Sequence, residues 1–104
     1  MKNFYKKLKN ITLASLKQKK NELWDAEGVL HNQLLKFDLR PLKNNTKFGS
    51  LKTKADKMVF DIEDKWVIVD IEELHTYIKE HKLKIVQLED LISKLEWNII
   101  LPKK

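Results

Sequence analysis

The sequence predicts an α+β fold, and three features support this prediction. Apolar residues at helical spacing fill the N-terminal third, two β-rich runs flank a polar tip near residue 63, and helical spacing returns after residue 70. The length of 104 residues is typical of a single domain, residues 1–104. We expect an N-terminal helical segment, a basic loop, a β-hairpin, two short helices and a C-terminal strand, with the strands forming a small antiparallel or mixed sheet.

Residues 1–37 are predicted to form a basic helical segment, with helix over 3–37. Glycine lowers helix stability by about 1 kcal/mol, so Gly28 predicts either one broken helix or two helices separated near residues 25–28. The apolar positions that recur every seven residues are Leu16, Leu23, Leu30 and Phe37.

Residues 38–56 are predicted to form a basic loop. Pro41 ends the preceding segment, and the Asn44-Asn45 and Gly49-Ser50 pairs favour turns. A loop of this length in a small domain is usually functional or mobile.

Residues 57–104 are predicted to form the α+β core, which begins with a hairpin over 57–70. A connection of two or four residues pairs Phe60 with Val67, whereas three residues would shift the register. With the former register, the face toward the core carries Met58, Phe60, Ile62, Val67 and Val69. The other face carries Val59, Asp61, Trp66, Ile68 and Asp70.

Two helices and a strand are predicted to complete this core. Asp70 is a favourable N-cap for a helix over 71–82, and Glu73 stands at the third helical position of a capping-box pattern. A second short helix has Leu88, Leu91, Ile92 and Leu95 on one side. The run 97–101 is a strand that we expect to join the hairpin sheet.

The charge of the chain is unevenly distributed, with a net charge of +6. Residues 1–54 hold 13 Lys/Arg against 4 Asp/Glu, and residues 55–104 hold 8 against 11. This asymmetry indicates an anionic partner for the first half or attraction between the halves. Arginine is the usual reader of base edges, but 20 of the 21 cations are lysine, which suits phosphate contacts without sequence preference.

The leading hypothesis is therefore a small non-enzymatic intracellular protein that associates with nucleic acid through its first half. The candidate phosphate-binding residues are Lys6, Lys7, Lys9, Lys17, Lys19, Lys20, Arg40, Lys43, Lys47, Lys52 and Lys54. The alternative is a protein-interaction module of the inhibitor, immunity or adaptor type, including phage-borne ones, or a protein that binds an acidic protein surface. Its candidate interface is the mixed aromatic and acidic face formed by Asp61, Trp66, Ile68 and Asp70. Peripheral membrane binding by residues 2–20 ranks last, because that segment has a thin apolar face.

Catalytic patterns are weak in this sequence, and we expect no enzyme, cofactor or metal. The tripeptide Asp-Ile-Glu occurs at 61–63 and 70–72, where turn and helix-cap roles explain its acids. Glu63-Asp64-Lys65 fits half of a metal-dependent nuclease pattern, but the second acid that such a site needs, Asp38 or Asp56, would come from the predicted loop. His75 and His81 are about 120° apart around a helix, which is unsuitable for a shared metal.

Two further observations concern location. The chain has no cysteine, which excludes disulfides and thiolate metal sites. Its lysine-rich N-terminus has no apolar core of a secretory signal, and its apolar runs are too short to span a membrane. We therefore expect a cytoplasmic protein.

Overall fold

The structure is a computed structural model that describes residues 2–41, 45–47, 53–83 and 85–103. The strands are β1 (Lys9–Leu13), β2 (Ala26–Leu30), β3 (Gln33–Pro41), β4 (Asn45–Lys47), β5 (Lys57–Asp61), β6 (Lys65–Asp70), β7 (Ile85–Gln87) and β8 (Asn98–Pro102). The helices are α1 (Lys2–Tyr5), α2 (Leu16–Glu22), α3 (Ile71–His81) and α4 (Leu88–Lys94). The predicted α+β class is confirmed.

Six strands form one mixed sheet in the order β1–β2–β3–β5–β6–β8, while β4 and β7 pair separately. β3 and β5 are parallel, and the remaining neighbours in the six-stranded sheet are antiparallel. Strands from the basic first half and from the acidic second half therefore belong to the same sheet.

The helix predicted over residues 3–37 is wrong for most of its length, because β1, β2 and the start of β3 occupy that range. In β3, apolar side chains alternate with charged ones, which is the two-residue period of a strand. The apolar positions are Leu35, Phe37 and Leu39, and the charged ones are Lys36, Asp38 and Arg40. The apolar residues that recur every seven positions do not mark one continuous helix, because they lie in a helix, a cap and two strands.

The basic loop predicted over residues 38–56 is also partly wrong. Residues 38–41 belong to β3, and residues 45–47 form β4 against β7. Residues 42–44 and 48–52 lie outside the described residues. The chain between β3 and β5 provides the crossover that two parallel neighbouring strands require.

The hairpin of β5 and β6 is confirmed in position and register. Phe60 pairs with Val67 and Met58 pairs with Val69, so the side chains alternate between the two faces as expected. Both strands are buried on both faces for nearly their whole length. This double burial explains their almost unbroken apolar sequence.

Two cores lie on opposite faces of the sheet. The first is built from Met58, Phe60, Val67 and Val69 with Leu74 and Ile78 of α3. In the second, Phe4 of α1 packs with its ring centroid 5.5 Å from Phe37 and 5.8 Å from Trp66. The short N-terminal helix thus covers the second face of the hairpin.

The helix predicted over 71–82 and the strand predicted over 97–101 correspond to α3 and β8. The second predicted helix corresponds to α4, but the segment between the two helices contains β7, which pairs with β4. Asp70 caps α3 by accepting a hydrogen bond from the Glu73 N–H at 3.1 Å. The Glu73 carboxylate does not complete the predicted capping pair but accepts from the Trp97 N–H at 3.3 Å, which ties α3 to the start of β8. Within the described ranges, no helix is long and apolar enough to cross a membrane.

Candidate nucleic-acid interface

The helix α2 lies on the surface at one end of the edge strand β1, and none of its residues is buried. A capping box fixes its start, since Ser15 Oγ accepts from the Gln18 N–H at 3.1 Å and Gln18 Oε1 accepts from the Ser15 N–H at 2.9 Å. Ala14 and Trp24, immediately outside the helix, are buried in the first core. The fold therefore holds α2 by its two ends and leaves its sides open.

Four exposed lysines gather on and beside this helix. Lys17, Lys19 and Lys20 belong to α2, and Lys54 is brought alongside because its N–H donates to the Glu22 carbonyl at 2.7 Å. We call these four residues the α2 lysine cluster. None of its ammonium groups lies within 4.0 Å of a carboxylate oxygen of another described residue. The cluster is thus a local excess of positive charge in contact with solvent.

A second basic group lies at the other end of β1. Lys6 and Lys7 follow α1, Lys9 opens β1, and all three side chains are exposed. Lys7 and Lys9 line a recess together with His31 of the β2–β3 turn. The sequence-predicted basic half is therefore divided by β1 into two separate groups.

The other predicted phosphate-binding residues contribute less. Arg40 makes a two-point contact with Asp38, through Nη2 at 2.8 Å and Nε at 3.2 Å, and Asp38 is only 4% exposed. The guanidinium of Arg40 is therefore engaged by a buried carboxylate of its own strand, β3. The side chains of Lys43, Lys47 and Lys52 lie outside the described residues.

The candidate protein interface on the hairpin is covered by the rest of the fold. Trp66 and Ile68 are 3% and 0% exposed, because α1 packs over them in the second core. Asp61 forms an ion pair with Lys103, and Asp70 caps α3. A partner could reach the two apolar residues only if α1 moved away.

Asp70 also forms an ion pair that the sequence did not reveal. Its Oδ1 lies 2.7 Å from Nζ of Lys57, which is 8% exposed and stands 3.8 Å from the Trp97 ring centroid. Burial alone would raise the pKa of Asp70, but hydrogen bonds from Lys57 and from the N–H groups of Glu72 and Glu73, with the charge of Lys57, hold the pKa below its ordinary value.

A cavity of about 810 Å³ lies beside this ion pair, where α3 begins. Its polar lining includes Asp56, Lys57, Asp70 and His75. Three of these are engaged in the fold, since Lys57 pairs with Asp70 and Asp56 Oδ2 accepts from the Lys36 N–H at 2.8 Å. The cavity is therefore bounded by groups that hold β3, β5 and α3 together.

The predicted nuclease-like triplet 63–65 lies at the hairpin tip, where Glu63 and Asp64 are exposed. The two candidate second acids are occupied elsewhere, Asp38 by Arg40 and Asp56 by the backbone of β3. Among the described residues, no group of three or more His, Asp or Glu side chains is placed to hold a metal ion.

Comparisons of the chain with protein-family models, with curated proteins and with solved structures gave no match.

Proposed function

We propose that this chain is a small non-enzymatic binding protein of the cytoplasm that associates with nucleic acid by contacting its phosphates. The contacts come from the α2 lysine cluster and from Lys6, Lys7 and Lys9. They follow the backbone and carry no sequence preference, because lysine is a mobile point charge and does not form the rigid two-point contacts with which arginine reads guanine.

The observation that supports this proposal most is the unpaired charge of the α2 lysine cluster. These four lysines have no carboxylate oxygen within 4.0 Å of their ammonium groups among the described residues. A helix that buries none of its side chains gains little from packing. Caps at both ends nonetheless hold the helix in place. The lysines therefore extend toward a polyanion from fixed backbone positions.

A salt titration of the unmodified protein tests the proposal. Each phosphate contact releases a counterion, so binding through about six lysines weakens roughly a thousandfold between 50 and 200 mM salt. Fluorescence anisotropy with labelled duplex DNA and labelled RNA gives this dependence. Absence of binding to both at low salt, or binding that does not change with salt, would overturn the proposal.

The alternative partner is an acidic protein surface, and exposed apolar residues at the start of α2 and at the end of β1 favour it. Leu16 is 86% exposed and Leu13 is 60% exposed. Aliphatic side chains among lysines suit a partner with an apolar centre and an acidic rim. Leu13→Ser with Leu16→Ser separates the two candidates, because phosphate binding tolerates both changes. A protein complex would lose most of its affinity.

A further inference from the structure

The β2–β3 turn is formed by two residues with left-handed backbone conformations. His31 and Asn32 join the two strands with φ of 49° and 66°, as in the type I′ turn, in which both central residues are left-handed. Asparagine and glycine are the usual residues at such positions, and histidine is also enriched among the non-glycine residues with positive φ. The His31 side chain is exposed, so it is free to contact a ligand.

His31 lines a recess of about 330 Å³, which we call the turn recess. It is also lined by Lys7, Lys9, Asn32, Leu30 and Leu101. No aspartate or glutamate is among the described residues that line it. His31 also lines a neighbouring recess, which contains Glu96.

The backbone around the turn recess is fixed although its cationic side chains are exposed. The Lys7 N–H donates to the Phe4 carbonyl at 2.9 Å, and Lys9 pairs with Val29 across β1 and β2. Leu8, between them, is 7% exposed and lies directly over Gly28. The sheet therefore determines the backbone positions of the two lysines and the histidine.

We propose that the turn recess binds a terminal phosphate monoester. An internal phosphodiester carries one charge and has two unbridged oxygens, so it gains less from the recess than a monoester does. A monoester projects from the end of a chain, carries about 1.5 to 2 negative charges at pH 7 and presents three acceptor oxygens. Lys7 and Lys9 supply positive charge, and the side chains of His31 and Asn32 supply directional hydrogen bonds.

Two sources offer this chemistry: the end of an oligonucleotide, which rests on the proposed function, and a free nucleotide. The experiment uses one duplex in three forms, with a 5′-phosphate, with a 3′-phosphate and with hydroxyls at both ends. Anisotropy should show about tenfold tighter binding of one phosphorylated form, as expected from two exposed ion pairs. Nucleoside 5′- and 3′-monophosphates, titrated separately while the His31 and Asn32 amide resonances are observed by NMR, test the free-nucleotide source.

Matched variants assign the preference to the recess. Lys7→Gln with Lys9→Gln should abolish the advantage of the phosphorylated duplex. Lys17→Gln with Lys19→Gln should weaken all three duplexes equally and leave the ratio unchanged. His31→Asn keeps the turn conformation and should reduce the ratio in part.

The outcomes distinguish the two proposals. Equal binding of all three duplexes, together with unshifted turn resonances, overturns the recess while leaving the proposed function intact. An advantage that survives the Lys7 and Lys9 changes also overturns it. Shifts of the turn resonances without duplex binding support the recess and overturn the proposed function.

Discussion

At the residue scale, Gly28 shows how one missing side chain fixes a contact between β2 and the segment before β1. A Cβ at this position would lie 3.0 Å from Leu8 Cβ and 3.3 Å from the Lys9 carbonyl oxygen. Alanine would favour the strand over glycine by about 0.5–1 kcal/mol, but overpacking of this kind costs about 1–3 kcal/mol. We therefore expect Gly28→Ala to lower the free energy of unfolding in urea.

A double-mutant cycle provides the control for this prediction. Leu8→Ala removes the side-chain atom Cδ1, which would lie 3.1 Å from the new Cβ. The cost of Gly28→Ala should then be smaller in the Leu8→Ala background than in the wild type. Additive costs would show that the contact with Leu8 Cδ1 does not contribute.

Asp70 allows its two roles to be separated by substitution. Asparagine is as good an N-cap as aspartate, so Asp70→Asn keeps the start of α3 and removes only the partner of Lys57. Leaving a buried ammonium without its partner costs about 1–3 kcal/mol. Asp70→Ala loses the cap as well, at roughly 1 kcal/mol more. Urea unfolding at pH 7 should rank the wild type above Asp70→Asn and Asp70→Asn above Asp70→Ala.

The pH dependence of Asp70 has a definite sign. Because its pKa is lowered in the folded protein, its contribution is fully present above the unfolded pKa of about 3.9 and is lost as the pH falls through the folded pKa. The stability difference between the wild type and Asp70→Asn should therefore shrink below about pH 4. A difference that is constant from pH 7 to pH 3 would contradict the ion-pair role.

At the element scale, α2 depends on its capping box more than on packing. Ser15→Ala removes the acceptor of the Gln18 N–H and should destabilise the helix by about 1 kcal/mol, which corresponds to roughly fivefold faster local opening. Hydrogen exchange at the Lys19 amide, which bonds to the Ser15 carbonyl at 2.9 Å, should accelerate by this factor. The global unfolding midpoint should change little, because α2 buries none of its residues.

Ser93→Ala in α4 is the matched control, since Ser93 is also exposed and its Oγ donates to the Glu89 carbonyl at 2.7 Å. It should leave exchange at Lys19 unchanged. Equal acceleration by both substitutions, or a large global loss from Ser15→Ala alone, would show that α2 is coupled to the core beyond its two ends.

The elements also show where sequence patterns are informative. The hairpin, α3 and β8 were predictable because dense β-branched runs and an aspartate cap each favour one structure. In the first half, leucine spacing suggested one long helix, whereas three local patterns indicated a short capped helix, a turn and a strand. These patterns were Ser15 with Gln18, His31 with Asn32, and the alternation from Leu35 to Arg40. The His-Asn turn is harder to recognise than the usual Asn-Gly pair.

The candidate site was only partly predictable for the same reason. Composition identifies the lysines. Their division into the α2 lysine cluster and the turn recess depends on β1, a segment that the sequence prediction had assigned to a helix. The pairing of Arg40 with Asp38 follows from residues two apart on a strand sharing one face. Once β3 is recognised, the sequence itself shows that this arginine has a neighbour of opposite charge.

At the scale of the whole molecule, the sheet joins a basic half to an acidic half, but the acidic half does not pair with the lysines of the α2 lysine cluster among the described residues. Internal ion pairs hold Lys57, Lys103 and Arg40, whereas the α2 lysine cluster stays unpaired among the described residues. Screening limits a surface charge to about 8 Å at physiological salt. A bound phosphate therefore responds to the lysines that it touches more than to the net charge of +6.

The most direct test of this account compares two variants that lose equal charge. One neutralises Lys17, Lys19 and Lys20 to glutamine, and the other neutralises the exposed Lys79, Lys82 and Lys94 of the second half. Anisotropy of a labelled duplex over a range of salt concentrations should show the slope of log affinity against log salt falling by about 2–3 in the first variant. The slope should be unchanged in the second. Equal slopes in both variants would contradict the claim that the α2 lysine cluster contacts phosphates directly.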